Sequence, residues 1–430
     1  MAGDETVLLR DVCVKIGSGA TPRGGKEAYK GGATSLIRSQ NIYNEGFHRD
    51  GLVYIDDDQS AELRNVEVQA NDVLLNITGD SVARCCQVAA DVLPARVNQH
   101  VVIIRPEPKS LHARFLRYVL VSHEYQSRLL ALASAGATRP ALTKLMIEQL
   151  DIPKPPLAEQ KAIAAVLGAL DDKIELNRRM NATLEAMARA LFESWFVDFD
   201  PVRAKLDGRK PIGLDEATAA LFPASFQESS LGHTPRGWTA GKLGDIGTNS
   251  RRGVQPGDIA PKTPYIALEH MPRRCIALGD WDDSADVASG KSAFKKGEIL
   301  FGKLRPYFHK VGVAPFDGVC STDILVLAPK GPEWFGFLLG HASSDELIQF
   351  TDLASTGTKM PRTNWSDISS FKVALPPKPI AAAFTCNIQP MLDRIHANLH
   401  QSRTLATLRD TLLPKLLSGE LSVDQRSRVS

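Results

Sequence analysis

Two segments of this 430-residue chain place apolar residues at alternating four- and three-residue steps. In the first, Ile163, Leu167, Leu170, Ile174, Asn177, Asn181, Leu184, Ala188, Leu191 and Trp195 fall on one stripe. The mean step is that of a coiled-coil seam, and it predicts a helix starting near Leu157 or Ala158, just past the proline brake at Pro153 to Pro156. In the second, Phe384, Ile388, Met391, Ile395, Asn398, Ser402, Leu405, Arg409, Leu412 and Leu416 repeat the stripe, with Arg409 its charged exception. Each helix would have about 38 residues and a length of about 57 Å at 1.5 Å per residue. Such a helix is marginal without a partner for its apolar stripe, and the simplest partner for each is the other. Asn177 and Asn398 lie near the two midpoints, so a flush antiparallel pairing would bring them together. A buried asparagine pair on a seam fixes register at a cost in stability. Two solvated surface asparagines are the alternative reading.

Ahead of each helix the pattern changes. Thr34 to Arg38, Gly51 to Ile55, Val73 to Ile77 and Val101 to Arg105 are short runs of strand character between Gly- and Pro-rich turns. Leu111 to Ala133 then carries apolar residues at helical spacing. The same order recurs later in the chain. Ala133-Ser134-Ala135-Gly136 returns as Ala354-Ser355-Thr356-Gly357, an offset of 221 that also relates Pro140 to Pro361, Pro155-Pro156 to Pro376-Pro377, and Asn177 to Asn398. Val73-Leu74-Leu75 resembles Ile299-Leu300-Phe301 at an offset of 226, and Val101 to Ile104 resembles Ile324 to Leu327 at 223. A repeat of this period means two copies of one plan. The predicted fold class is therefore α+β. Two similar globular units are separated by two long helices packed as an antiparallel coiled coil, in a pseudo-twofold internal repeat. The expected divisions are a first globular domain at 1–156, its helix at 157–197, a connector at 198–236, a second globular domain at 237–377, and the second helix with the C-terminal tail at 378–430. The connector reads as irregular, with one short helix near Leu214 to Leu221.

Composition narrows the class. Lys plus Arg is 51 against 49 for Asp plus Glu, a net charge of +2, which excludes a polybasic protein that binds by bulk charge. A local cationic surface can still sit inside a neutral total, so charge has to be read by position. No run of 18 apolar residues is present, so no membrane span is expected. Met1 to Arg10 contains Asp4 and Glu5 and has no apolar core of a secretory leader. The six cysteines form no C-x-x-C pair and read as free thiols of a cytoplasmic protein, with Cys85 and Cys86 as packing residues.

Catalytic motifs are lacking. Asp198-Phe199-Asp200-Pro201 departs from the Asn/Asp-Pro-Pro-aromatic element of base methylation by a missing proline. Asp171-Asp172-Lys173 has a D-x-K spelling but sits on the predicted helix, where it reads as a solvated charge run. No Walker loop, G-x-S-x-G elbow, H-E-x-x-H or metal-ligand spacing of the ten histidines occurs. What recurs instead is polar and cationic loops at matching places. The first copy has Thr21 and Arg23 in a Gly-rich loop, then Arg38, Gln40 and Asn41 together, the side-chain types that make bidentate contacts to guanine and adenine edges. Asn76 and Thr78 leave a strand, and Thr138 and Arg139 precede Pro140. The second copy has Arg251 and Arg252, then Lys303, Arg305 and Tyr307, then Thr358, Lys359 and Arg362 around Pro361. Phosphate contacts are the first expectation for such cations and base contacts the second. Ordinary solvated loops are the alternative at each position taken singly.

Four segments resemble one family. Ile152-Pro-Lys-Pro-Pro-Leu-Ala-Glu-Gln-Lys-Ala-Ile163 is similar to the segment closing each target-recognition domain in specificity (S) subunits of type I restriction–modification enzymes. Leu191 to Lys205 resembles their central conserved region, Gly232 to Ile246 the start of a second recognition domain, and Leu412 to Leu421 their C-terminal end. The second copy departs at Lys378-Pro379-Ile380-Ala381, where the first has Leu157-Ala-Glu-Gln160. The resemblance implies a non-catalytic subunit that reads a bipartite, asymmetric site in double-stranded DNA, one half-site per globular domain. It also implies two methyltransferase subunits docked on the helices and restriction–translocase subunits beyond them. S-adenosylmethionine, ATP and Mg would then belong to those partners, with no cofactor or metal in this chain. A two-headed protein–protein adaptor is the alternative function.

Overall fold

The computed structural model describes residues 6–22, 24, 29, 31–135, 139–284, 288–355 and 360–423. The chain divides into two units, one formed by Met1–Lys173 with Leu405–Ser430 and the other by Ile174–Thr404.

In the first unit Cys13–Ser18, Val101–Pro106, Val73–Asn76 and Cys85–Gln87 lie side by side in that order, all antiparallel. A second sheet runs Val53–Ile55, Thr34–Ile37, Ala95–Val97, Glu67–Val68, with one parallel pair, Thr34–Ile37 against Ala95–Val97. Successive side chains of a strand point to opposite faces. Val73 and Leu75 accordingly join a core with Phe115, Tyr118 and Leu120, while Leu74 turns to the other side and packs with Leu36, Ile37 and Val97. A strand buried on both faces reads as an unbroken apolar run, which is why Val73 to Leu75 has no polar alternation.

The second unit repeats the order. Gly247–Asn249, Ile324–Pro329, Ile299–Gly302 and Val311–Val313 form one sheet, and Gly253–Val254, Lys291–Phe294, Gly318–Cys320, Pro264–Ile266 and Asp282–Asp283 the other. Its one parallel pair, Pro264–Ile266 with Gly318–Cys320, matches the parallel pair of the first unit. Ile299 and Phe301 face one core and Leu300 the other. The helical stretch expected over Leu111 to Ala133 is in fact two helices, Ala113–Val121 and His123–Ser134. The break comes at Ser122, whose backbone is extended (ψ 150°) and whose hydroxyl accepts from the Tyr125 N–H. Ser344 breaks and caps the second copy in the same way, accepting from the Leu347 N–H at 3.2 Å. A hydroxyl that satisfies one helix start competes with continuing the previous helix, and side-chain spacing alone does not register it.

The long helices are Leu157–Phe192 and Lys378–Leu417. Within the second unit they run antiparallel, since Asn177 meets Ser402, Asn181 meets Asn398 and Phe192 meets Phe384. Within the first unit Ile163 and Leu167 share a core with Leu413 and Leu416. Two details differ from the heptad reading. The first helix ends at Phe192 and opens into a π-helical turn, Glu193–Val197, so the regular step stops before Trp195, which stays buried against Phe384 of the second helix. The extra residue per turn brings Phe192, Trp195 and Phe196 together into one aromatic cluster with Phe337 and Phe384. In the second helix Leu392 rather than Met391 is buried.

The stretch read as an irregular connector is more ordered than expected. It holds helices Asp200–Leu206 and Glu216–Leu221 and a hairpin of Phe226–Ser229 with Gly232–Pro235. Val202 and Phe222 are buried and anchor it to the second core. Among the described residues no helix is long and apolar enough to cross a membrane.

Candidate nucleic-acid interface

Each unit joins four backbone segments by the same hydrogen bonds. In the first, Asn98 N–H donates to Ile37 O (3.0 Å), Ile77 N–H to His100 O (3.0 Å) and Leu142 N–H to Ile77 O (2.8 Å). In the second, Ser321 N–H donates to Ile266 O (2.9 Å), Lys303 N–H to Asp323 O (2.9 Å) and Thr363 N–H to Lys303 O (3.0 Å). An isolated antiparallel bridge follows in both, Thr78 with Ala141 and Leu304 with Arg362. The turn after a central strand, the turn before its neighbour and the Pro140 or Pro361 loop are thus held together twice over. The frame is backbone-made, so the side chains it carries are free to differ between copies.

In the second unit this frame borders an open groove of about 790 Å³. Arg251, Lys291, Lys303 and Arg362 line it together with Asn249, Thr322, Asn364 and Trp365, and no carboxylate does so among the described residues. Arg251 is exposed. Arg362 reaches Asp323 at 3.5 Å but keeps more than half of its side chain exposed. The Lys291 ammonium donates to Ser289 Oγ (2.7 Å) and Ser289 O (2.9 Å), and lies 5.6 Å from the Tyr265 ring centroid. Arg252 is committed elsewhere, pairing with Glu298 and donating to Ala293 O at 3.3 Å. Arg305 holds a left-handed backbone (φ 51°) beside the bridge, with its guanidinium 5.8 Å from the Phe308 ring, while Tyr307 next to it is half exposed.

In the first unit the corresponding surface is polar rather than cationic. Thr78 Oγ1 and His100 Nδ1 are 2.7 Å apart, His100 Nε2 lies 3.3 Å from Gln99 Nε2, and Thr21 donates to Gln99 Oε1. Arg139 is exposed at the head of the Pro140 loop. Arg38 and Gln40 both donate to Gly51 O, at 2.5 Å and 3.3 Å, with the Arg38 guanidinium 5.5 Å from the Tyr29 ring centroid. They stand near one another but are turned onto their own loop.

Two residues of the sequence reading are corrected by burial. Asn41 is fully buried, and its amide closes a turn by donating to His48 O (3.0 Å) and Asp50 O (3.1 Å) while its oxygen accepts from Arg38 N–H (3.0 Å). Asn76 is also fully buried and donates to Ser39 O at 2.9 Å. Neither side chain reaches the surface, because each serves backbone groups that burial would otherwise leave unpaired. Arg23, Thr138, Thr358 and Lys359 lie outside the described residues. Gln99, His100 and Lys291 went unread. For the first two a signal existed: at the offset of 223 they match Thr322 and Asp323, a polar turn before the same strand in each copy.

The long helices carry two buried carboxylates of contrasting character. Asp171, expected on a solvated face, is mostly buried in the first unit. It accepts from Arg117 Nη1 (2.6 Å), Tyr118 Oη (2.6 Å) and Arg409 Nη1 (2.8 Å). Burial would raise its pKa, but the two guanidiniums and the phenol hold it below the usual carboxylate range. In the second unit Glu185 accepts from Ile276 N–H (2.9 Å), Ala277 N–H (3.2 Å) and the Cys275 thiol (3.2 Å). Burial outweighs these donors and leaves its pKa raised.

Asn177 and Asn398 are both buried, yet their side chains do not bond to each other. Asn177 Nδ2 donates to Gln401 Oε1 (2.9 Å), Ser402 Oγ (3.2 Å) and Asn398 O (3.4 Å), and Asn398 Nδ2 donates to Asn181 Oδ1 (2.8 Å). The flush pairing is replaced by a stagger in which each asparagine meets a polar residue four positions away from the other. Among the described residues no His, Cys, Asp and Glu cluster with metal-binding geometry occurs.

Residues 2–186 match the family model described as the type I restriction modification DNA specificity domain. Over 72% of its length the chain is 28% identical to the type I restriction enzyme MjaIX specificity subunit of Methanocaldococcus jannaschii, covering 69% of that protein. It is 27% identical to the type I restriction enzyme HindI specificity subunit of Haemophilus influenzae, over 76% of this chain and 81% of that one. The crystal structure of a type I restriction-modification system S subunit from M. genitalium shares its fold, with a TM-score of 0.53 and 16% identity over 96% of this chain and 95% of that one.

Proposed function

We propose that this chain, a relative of type I restriction–modification specificity subunits whose residues 2–186 belong to their DNA specificity domain family, is the DNA-reading subunit of such a complex. In this reading each unit contacts one half of a bipartite site in double-stranded DNA. The paired helices act as the spacer and as the dock for two methyltransferase subunits, with restriction subunits joining the assembly. The chain makes and breaks no bond itself; S-adenosylmethionine, ATP and Mg act in the partners. The observation that carries the reading is the frame built twice with identical backbone bonds and different side chains. A reader of an asymmetric site needs two similar platforms with unlike contacts. Thr21, Thr78 and Arg139 are the contacts proposed for the first half-site, with Arg38 and Gln40 at its margin. Arg251, Lys303, Arg305, Tyr307 and Arg362 are those proposed for the second. Arg23, Thr138, Thr358 and Lys359 extend the two sets by their place in the Gly-rich and Pro140 or Pro361 loops.

The test is a gel-shift and footprint of the chain with its methyltransferase subunits on a random-site library. Protection of two short tracts separated by a constant gap supports the reading. Failure to select any DNA sequence, with polypeptide capture by the same loops, points to a two-headed adaptor. Methylome sequencing of a host carrying the complex would give the recognised sequence.

A further inference from the structure

Superposing the two frames by their strand pairing makes the groove comparable position by position. Ser18 follows Gly17, which pairs with Ile103, as Arg251 follows Ser250, whose N–H donates to Val326 O; counted outward from the parallel pairs Ile37 with Val97 and Ile266 with Cys320, Asn65 falls at the place of Lys291. Lys303 and Arg362 fall on Ile77 and Ala141. All four groove cations of the second unit therefore stand where the first unit has uncharged side chains. The carboxylate of Asp323 offsets one of them in part, where the first unit has His100. Arg139, in turn, falls where the second unit has Met360.

We infer that the two half-sites are held by different forces: the second unit grips the sugar-phosphate backbone through Arg251, Lys303 and Arg362 along the groove, with the buried Lys291 adding charge from beneath it, and the first reads mainly through neutral hydrogen-bonding groups. The inference rests on the DNA-reading function proposed above. Cations on an open groove without lining carboxylates suit phosphate, because each neutralised phosphate releases condensed counterions. Thr78 and Gln99 supply donors and acceptors without charge, beside a His100 ring that meets both, which suits base edges and adds little salt dependence.

The experiment measures Kd against salt for the complex with its methyltransferase subunits on a duplex bearing its site. Arg251→Gln, and separately Lys303→Gln with Arg362→Gln, should flatten the slope of log Kd against log salt by about 1 per cation removed. Each such loss narrows the affinity ratio between about 50 and 200 mM salt by about fourfold. Ser18→Arg, an exposed position at the matching place of the first unit, should steepen the slope by about 1. Arg251 and Ser18 are both exposed, so these two variants keep the test open if the double variant does not fold. Full DNA binding with slopes unchanged in the Arg251 and Ser18 variants overturns the inference and leaves the DNA-reading function standing. Absence of DNA binding by the unaltered complex at any salt overturns both.

Discussion

Arg409, the one charge on the apolar stripe of the second long helix, donates to Asp171 on the first at 2.8 Å. The seam is not interrupted there by a misplaced charge but closed by an ion pair, and Arg117 and Tyr118 tie the same carboxylate to the globular part of the unit. Breaking a buried pair leaves the remaining charges without compensation. Asp171→Ala is therefore expected to lower the unfolding free energy of the first unit by about 3–5 kcal/mol, read by denaturant unfolding. Asp172→Ala, which removes the adjacent, largely exposed carboxylate paired with Arg114, should cost about 1 kcal/mol or less.

The two helix carboxylates predict opposite responses to pH. The Asp171 pKa is lowered on folding, so its contribution is complete above its ordinary value of 3.8 and disappears as pH falls through the folded pKa. The Glu185 pKa is raised, so between its ordinary value of 4.5 and the folded pKa the second unit loses stability as pH rises. Asp171→Asn should flatten the acid limb of unfolding in the first unit. Glu185→Gln should remove a slope of the reverse sign, seen as protection of the Ile276 and Ala277 amides, taken relative to their intrinsic exchange rates, that no longer falls as pH rises through that window.

Gly340 faces the aromatic cluster so closely that a Cβ built there would lie 2.0 Å from Phe192 Cδ2 and 2.6 Å from its Cγ. The ring is gripped by Phe196, Phe337 and Phe384 and has nowhere to retreat. Gly340→Ala should destabilise the second unit by about 1–3 kcal/mol through overpacking, and Phe192→Leu in the same chain should restore part of it. Additive losses in the double variant would count against this account.

Asn177 and Asn398 invite a test of register. The Asn177 side-chain oxygen is buried without a partner among the described residues. Replacing both residues with Leu should raise thermal stability while loosening the stagger that Gln401, Ser402 and Asn181 define. In the assembled complex the expected readout is methylation of sites whose gap is one base pair longer or shorter. Unchanged discrimination between gap lengths would remove the register role.

Arg139→Ala should weaken binding through the first half-site and Arg362→Ala through the second, mapped by footprinting with each half mutated in turn, and the Arg362 loss should be about equal on every second-half sequence. If either variant weakens every DNA sequence equally, its arginine is a phosphate contact alone.

Much of this molecule is written locally in the chain. The two long helices follow from a repeating step of apolar residues, and the doubling follows from offsets of 221 to 226. Both signals survive in one dimension because helical packing and duplication act on neighbouring residues. Cys85 and Cys86 likewise read as packing residues, and both are fully buried. What one dimension does not carry is direction. Asn41 and Asn76 have the chemistry of base readers, yet point inward to satisfy backbone groups. Asp171 looks solvated until Arg117, Tyr118 and Arg409 converge on it from segments far apart in sequence. Lys291 joins Arg251, Lys303 and Arg362 only because strand pairing brings four separate segments to one groove. The sequence by itself determined the elements and their repetition, since these rest on local periodicity. Tertiary structure alone decided which polar side chains are spent on the fold and which are left facing solvent, since that depends on long-range pairing and on the cost of burying an unpaired polar group.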